Sequence, residues 1–401
     1  MLCLTDPKSA DVHKKRLKAK TIRENTSEET TGGNLTMTIQ ATRRHLLQTA
    51  GLGLAAMPLM VARPSFAQSA GKTYKIALSN SYIGNKWRLE MENVFKAALQ
   101  MDPFKTEVVG SIYNSGNDVS KQSQQISNMI AERVDAIVMD AASPTALNGI
   151  IHQATSRGIL VVSFDSGVTA PSAIKVNISQ YDLGKGWAEW IVKQINGKGN
   201  VIMVTGVAGT EVDLDRNKGA DSVWAQNPGI KVVNRFTGMW DSSTAERNTA
   251  AVLPSLPKID AIWCQGGTDG VLKAFISANR PLPPTAGEAE NGFRKMMLGI
   301  GGHTVTGYSA GSPPYLSLMA LELARRILNG SYPKKNIDVP NVFLSNADLK
   351  LGVNVFADQP DSFFDDFTAG GPTSPVDICA QAAIDGSACT DQKLIINLPA
   401  A

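Results

Sequence analysis

Val134-Asp135-Ala136-Ile137-Val138-Met139-Asp140 and, one helix-length later, Ile159-Leu160-Val161-Val162-Ser163-Phe164-Asp165-Ser166 decide the fold. Each is a short, nearly unbroken apolar run rich in β-branched residues, the pattern of a strand buried on both faces. Each ends on an aspartate, where a strand gives way to a loop. Between them, residues 144–157 carry a helical pattern, with Ser143 as cap and Pro144 as first-turn residue. Strand, helix, strand is a right-handed βαβ unit, and such units build a parallel sheet.

The same alternation extends in both directions. Strands are expected at 75–78, 106–112, 136–139 and 159–164; after a short segment at 173–178 they are expected at 201–205, 231–235, 261–264 and 297–300. Helices are expected at 85–100, 118–133, 144–157, 183–195, 214–225, 243–253, 269–278 and 315–329. In the first of these, Trp87, Met91, Val94, Phe95, Ala98 and Leu99 share a face. Two successive sets of units predict an α/β protein of two similar, doubly wound parallel-sheet lobes. Pro281-Leu282-Pro283-Pro284 and Gly287 read as an exposed loop, and the chain beyond Gly352 as a less periodic surface tail.

The N-terminus reads differently. Residues 1–36 are polar and aperiodic, and Met37 stands where a start codon is expected, so 1–36 read as an upstream extension. Thr42-Arg43-Arg44-His45-Leu46-Leu47-Gln48, an apolar run from Ala50 to Val61 and Ser65-Phe66-Ala67 follow the charged, apolar, small-residue order of a signal peptide, with cleavage after Ala67. The arginine pair resembles a twin-arginine export signal. The apolar run is too short to span a bilayer, which takes roughly 20 residues.

Export changes the charge balance. Ten of the 39 Lys and Arg and five of the 36 Asp and Glu precede residue 68, leaving 29 basic against 31 acidic residues. The slight basicity of the whole chain therefore belongs to its leader, and no basic stripe points to nucleic acid. In an oxidising compartment Cys379 and Cys389 are expected to form a disulfide, while Cys264 lies in an apolar strand as a buried thiol.

Ligands of open parallel sheets bind beyond the carboxyl ends of the strands. The residues there are Ser79, Asn80 and 82–88, Asp140, Asp165 and Ser166, 206–213, Trp240 and Asp241, 265–269 and 301–303. Carboxylates, amides and arginines suit vicinal hydroxyls, each of which donates and accepts, and indole faces suit the C–H face of a sugar ring. The candidate ligand residues are Asn80, Asn85, Trp87, Arg88, Asp140, Asp165, Ser166, Arg216, Trp240, Gln265 and Asp269. Each has a second reading: Trp87 as core, Asp165 as a turn cap, Asp140 and Asp269 as helix caps, Arg88 and Arg216 as solvated surface charges.

Several stretches resemble the type I periplasmic binding proteins of sugar ABC transporters, the ribose-binding group, from about Tyr74 to Asp338. Leu78-Ser79-Asn80 with Asn85-Lys86-Trp87-Arg88 resembles that family's first strand and aromatic loop, Val134 to Met139 its third strand, and Phe164-Asp165-Ser166 its ligand-binding turn. Gly206-Val207-Ala208-Gly209-Thr210 with Arg216, and Trp240-Asp241, resemble its second-lobe segments. The resemblance implies lobes of 74–178 plus 310–338 and of 179–309 plus 339–401, joined by three crossovers near Ile178, Ser309 and Val339. It implies no cofactor, no metal and no enzyme activity. It implies a sugar or polyol passed to an inner-membrane permease by a monomeric periplasmic protein. A sensory binder for a chemoreceptor or histidine kinase shares the pattern, as does a nucleoside carrier. Ser166 replaces the ribose group's Arg, the 265–269 turn is one residue longer than usual, Gly301-Gly302-His303 lacks the usual Asp and 309–314 the usual Gln, so the ligand is expected to differ from ribose.

Enzyme patterns fail on context. Gly307-Tyr308-Ser309-Ala310-Gly311 spells a nucleophile elbow, but Pro313-Pro314 follow it and no histidine lies beyond it. Residues 213–219 start like a calcium loop, but its twelfth position is Trp224 rather than a carboxylate.

Overall fold

The computed structural model describes residues 72–334, 336–364, 375–387 and 389. The upstream extension and the export signal lie outside the described residues. In chain order the elements are β1 (Tyr74–Asn80), α1 (Lys86–Ala98), α2 (Phe104–Glu107), β2 (Val108–Asn114), α3 (Val119–Ala131), β3 (Ala136–Asp140), α4 (Asn148–Ser156), β4 (Leu160–Phe164) and β5 (Ile174–Ile178). They continue as α5 (Gln180–Gln194), β6 (Gly199–Thr205), α6 (Glu211–Trp224), β7 (Ile230–Thr237), α7 (Ser242–Val252), β8 (Ala261–Cys264) and α8 (Thr268–Ser277). The last are β9 (Thr285–Gly287), α9 (Asn291–Met297), β10 (Gly307–Ser309), α10 (Leu316–Leu328), β11 (Ile337–Val339), β12 (Leu344–Ser345) and α11 (Pro375–Asp385).

Two six-stranded sheets result, in the orders β11-β5-β4-β3-β1-β2 and β12-β10-β9-β8-β6-β7. All pairings are parallel except β10 with β12. Alternate residues of one strand feed opposite faces of the first sheet. Ile76 and Leu78 of β1 join the cluster under α1 and α10, while Ala77 joins the one under α3 and α4. The second sheet is covered on both faces in the same way. This double burial is why the strands read as continuous apolar runs.

Among the described residues the chain passes between the lobes from β5 to α5, from β10 to α10 and from β11 to β12, and once more after β12, because Phe364 and α11 return to the first lobe.

Four expectations are corrected. Residues 104–107 form the short helix α2, so the strand expected from 106 starts at Val108. The helix expected from Pro144 starts at Asn148; Ser143 Oγ instead accepts from the N–H groups of Thr145 (3.4 Å) and Ala146 (3.2 Å) in the turn before it. The strand expected at 297–300 is the end of α9 and the turn after it. The strand of that position is β9, three residues within what reads as an exposed loop, with Ala286 fully buried against the sheet. Finally, the tail does not all belong with the second lobe. α11 packs on α10 and β11 of the first, burying Val376, Cys379, Ala380 and Ala383, and a disulfide joins Cys379 to Cys389.

Candidate functional site

Asn85 ends the loop after β1 and caps α1, its side chain accepting from the N–H of Arg88 at 2.9 Å. That cap fixes where α1 begins and so turns Trp87 and Arg88 toward the carboxyl ends of the strands. Arg88 is 2% exposed. It pairs with Asp140, the last residue of β3, and lies 3.7 Å from Asp165, just past β4. Asn80 completes this cluster: its Nδ2 donates to Glu92 (3.0 Å) and its Oδ1 accepts from Arg88 at 3.4 Å. Burial lowers the pKa of the Arg88 guanidinium to about 10, against the opposing pull of Asp165. It remains a cation at neutral pH.

In the second lobe, Thr210 caps α6, which brings Arg216 inward two turns later. Arg216 donates to Glu288 (2.6 Å), to the carbonyl of Gln265 (2.9 Å) and to Gln180 (2.8 Å). Burial raises the pKa of Glu288, and Arg216 opposes the rise. Glu290 accepts from the N–H groups of Gly267 (2.8 Å) and Thr268 (2.9 Å) at the start of α8. Burial, then the neighbouring Asp269, push its pKa up to about 8.

Trp240 follows β7 with φ of 54°, directly after Met239 at 56°. Two consecutive non-glycine residues in the left-handed region cost about 1–3 kcal/mol each, a strain that concentrates at ligand clamps. The indole N–H donates to Gln265 Oε1 at 3.2 Å. The ring lies over Gly206, where a β-carbon would sit 2.1 Å from it.

These groups converge on one cavity of about 30 Å³ between the lobes. Of the candidate residues, Asn85, Trp87, Arg88, Asp165, Arg216 and Trp240 line it. Asn80, Asp140 and Gln265 stand behind them and hold Arg88, Arg216 and Trp240 in place. Ser166 is buried but does not line the cavity. Asp269 also stands outside it, paired with Lys273 at 2.6 Å. His303 lies in an exposed turn away from the strand ends, because the strand expected before it is helix. Trp87 unites both of its readings: it packs in the core, lines the cavity and donates from Nε1 to the carbonyl of Ser312 at 2.6 Å.

Val212 and Gly266, from the strand-end segments 206–213 and 265–269, also line the cavity, as do Glu288, Glu290, Ser312 and Phe364, which were not expected there. Glu288 was hidden with its strand. The signal that would have found it is Ala286-Gly287-Glu288, a short apolar pair ending on an acid, as the runs ending at Asp140 and Asp165 do.

Two parallel-sheet α/β lobes, repeated crossings between them and a polar, tryptophan-flanked cavity at their strand ends define a two-lobed solute-binding protein. The comparisons agree. Residues 76–331 match the model of the periplasmic binding protein domain, and the chain belongs to that family. It is 29% identical to the xylitol-binding protein of Mycolicibacterium smegmatis over 194 residues, a match covering 47% of this chain and only 55% of that protein. It is 23% identical to the ribose import binding protein of Bacillus subtilis, over 71% of this chain and 90% of the relative. An ABC transporter solute-binding protein from Thermobispora bispora superposes with a TM-score of 0.63 at 32% identity, over 69% of this chain and 86% of that structure.

Proposed function

We propose that this chain is the periplasmic substrate-binding component of an ABC transporter, closing its lobes on a sugar or polyol and handing it to a membrane permease. The observation that carries this reading is the convergence of groups from both lobes on one cavity: Arg88 and Asp165 from the first, Arg216, Trp240 and Glu288 from the second. Guanidinium groups donate and carboxylates accept, so a chain of hydroxyls finds both partners. Trp87 and Trp240 supply apolar faces for its C–H groups. A ligand touching both lobes binds the closed form better than the open one and shifts the balance toward closure. The relatives named for xylitol and ribose support the same class of ligand. The departures from the ribose pattern favour a polyol or a sugar other than ribose. In this reading the twin-arginine-type leader is removed after Ala67, and the mature chain works as a monomer without nucleic acid or cofactor.

The test is a thermal-shift and calorimetric screen of the chain from residue 68 onward against xylitol, ribose, myo-inositol, hexoses, nucleosides and amino acids. A ligand at a hundredfold over its dissociation constant adds about 2.7 kcal/mol of stability, a shift of several degrees. A sugar or polyol is expected to give it, and a response confined to nucleosides or amino acids would refute the ligand class.

A further inference from the structure

Gln180 is the first residue of α5, directly after the chain's first crossing between lobes, and it is 2% exposed. Its amide is used at both ends. Oε1 accepts from Arg216 Nε of the second lobe at 2.8 Å. Nε2 donates to Asp165 of the first lobe at 3.3 Å and to the hydroxyl of Ser312, on the second crossing, at 2.9 Å. One neutral side chain thus stands between a buried cation of one lobe and a buried carboxylate of the other, and both of those groups line the ligand cavity. No charged side chain replaces it without cost: a carboxylate satisfies Arg216 but repels Asp165, and an ammonium does the reverse.

We propose that Gln180 is a positioning residue that sets the balance between the open and closed arrangements of the lobes before any ligand arrives. Its bond to Arg216 lies within the second lobe and its bond to Ser312 lies on the hinge. Its bond to Asp165 joins one lobe to the other, so opening breaks that bond and closing remakes it. Buried hydrogen bonds in series reinforce one another, so the link strengthens as the lobes meet. The inference rests on the two-lobed closing reading above but not on the identity of the ligand.

The test therefore uses ligand-free protein. Gly167 of the first lobe and Glu211 of the second meet at the cleft mouth, the N–H of Gly167 donating to Glu211 at 3.4 Å. In a Gly167→Cys, Glu211→Cys background, the rate of capture by a short dithiol-reactive crosslinker reports how often the cleft closes, even when closure is rare. Adding Gln180→Glu is expected to slow capture about tenfold through like-charge contact with Asp165. Gln180→Met, which keeps the volume and loses every bond, is expected to slow it as well. Adding Asp165→Asn to Gln180→Glu again sets a donor against an acceptor and is expected to restore the background rate. An unchanged rate in Gln180→Glu and Gln180→Met, even with a lowered melting temperature, would overturn the proposal. So would a double variant as slow as the single one, or a background that never crosslinks without ligand.

Discussion

Glu211 reaches from the first turn of α6 to the backbone N–H of Gly167, joining the lobes at the cleft mouth with a bond of 3.4 Å. Burial there, then the neighbouring Asp215, raise the Glu211 pKa to about 7, against the Gly167 bond that lowers it. When the cleft opens, the carboxyl returns to water and toward its ordinary value. The closed form therefore binds the proton more tightly. Closure is expected to be favoured below the ordinary carboxylate range and to weaken as pH rises through about 7.

Ligand affinity should accordingly rise when pH falls from about 8 to about 6. Titration calorimetry across the range, on the wild type and on Glu211→Gln, tests this. The wild type should gain affinity as pH falls below about 7, and the variant should lose that gain. A slope unchanged by Glu211→Gln would remove Glu211 as its source.

Arg88 and Asp140 test stability instead of binding. Both are buried, and each is the other's direct charge partner. Removing one member of a buried pair costs up to about 3–5 kcal/mol when the remaining charge is uncompensated. Asp165 at 3.7 Å still faces Arg88 in Asp140→Ala, so a loss of about 2–3 kcal/mol is expected in ligand-free chemical denaturation. A loss below about 1 kcal/mol, the scale of an exposed pair, would show the cluster to be hydrated.

The Cys379–Cys389 bridge is expected to hold α11 on the first lobe. It closes a short loop, with a separation of ten residues, and Cys379 itself is fully buried beside α10. Loop closure of that size is worth about 3 kcal/mol against the unfolded segment. Hydrogen exchange of α11 should therefore quicken about a hundredfold in Cys389→Ser, with the second lobe unaffected. Equal exchange in both proteins would show that packing alone holds the helix.

How much of this was legible in the sequence follows from burial. Strands buried on both faces, such as Ala136–Asp140 and Ala261–Cys264, leave a continuous apolar signature that tertiary context cannot shift far. β9 leaves almost none. It is three residues long, follows a proline-rich stretch and is fixed by its neighbours, pairing with β8 on one side and β10 on the other. Without it Glu288 has no signature either, and the strand end it marks is mistaken for Gly301–His303, where α9 has already ended. The same logic divides the site. Residues at the ends of doubly buried strands, Asp140 closing β3 and Asp165 just past β4, were visible. Gln180, Ser312 and Phe364 were not, because they reach the cleft from crossings and a tail whose paths only tertiary packing decides. Asp269 follows β8 in sequence but is buried beside Glu290 and paired with Lys273, while Glu290 takes the backbone N–H groups that open α8.

Trp240 and Gly206 allow the binding reading to be tested by coupling. Trp240 is half-buried at the mouth of the cavity, so Trp240→Ala removes an aromatic face without opening a core void. Its cost should fall on affinity, about tenfold or more, with little change in ligand-free stability. Gly206→Ala removes no ligand group but puts a methyl where the indole lies, 2.1 Å from its nearest ring atoms. The ring must move, and affinity should fall nearly as far. If the glycine acts only through the indole, Gly206→Ala added to Trp240→Ala should cost nothing further, a non-additivity of about 1 kcal/mol or more in a double-mutant cycle. Strictly additive losses would mean that Gly206 approaches the ligand directly and that Trp240 is not the face on which it rests.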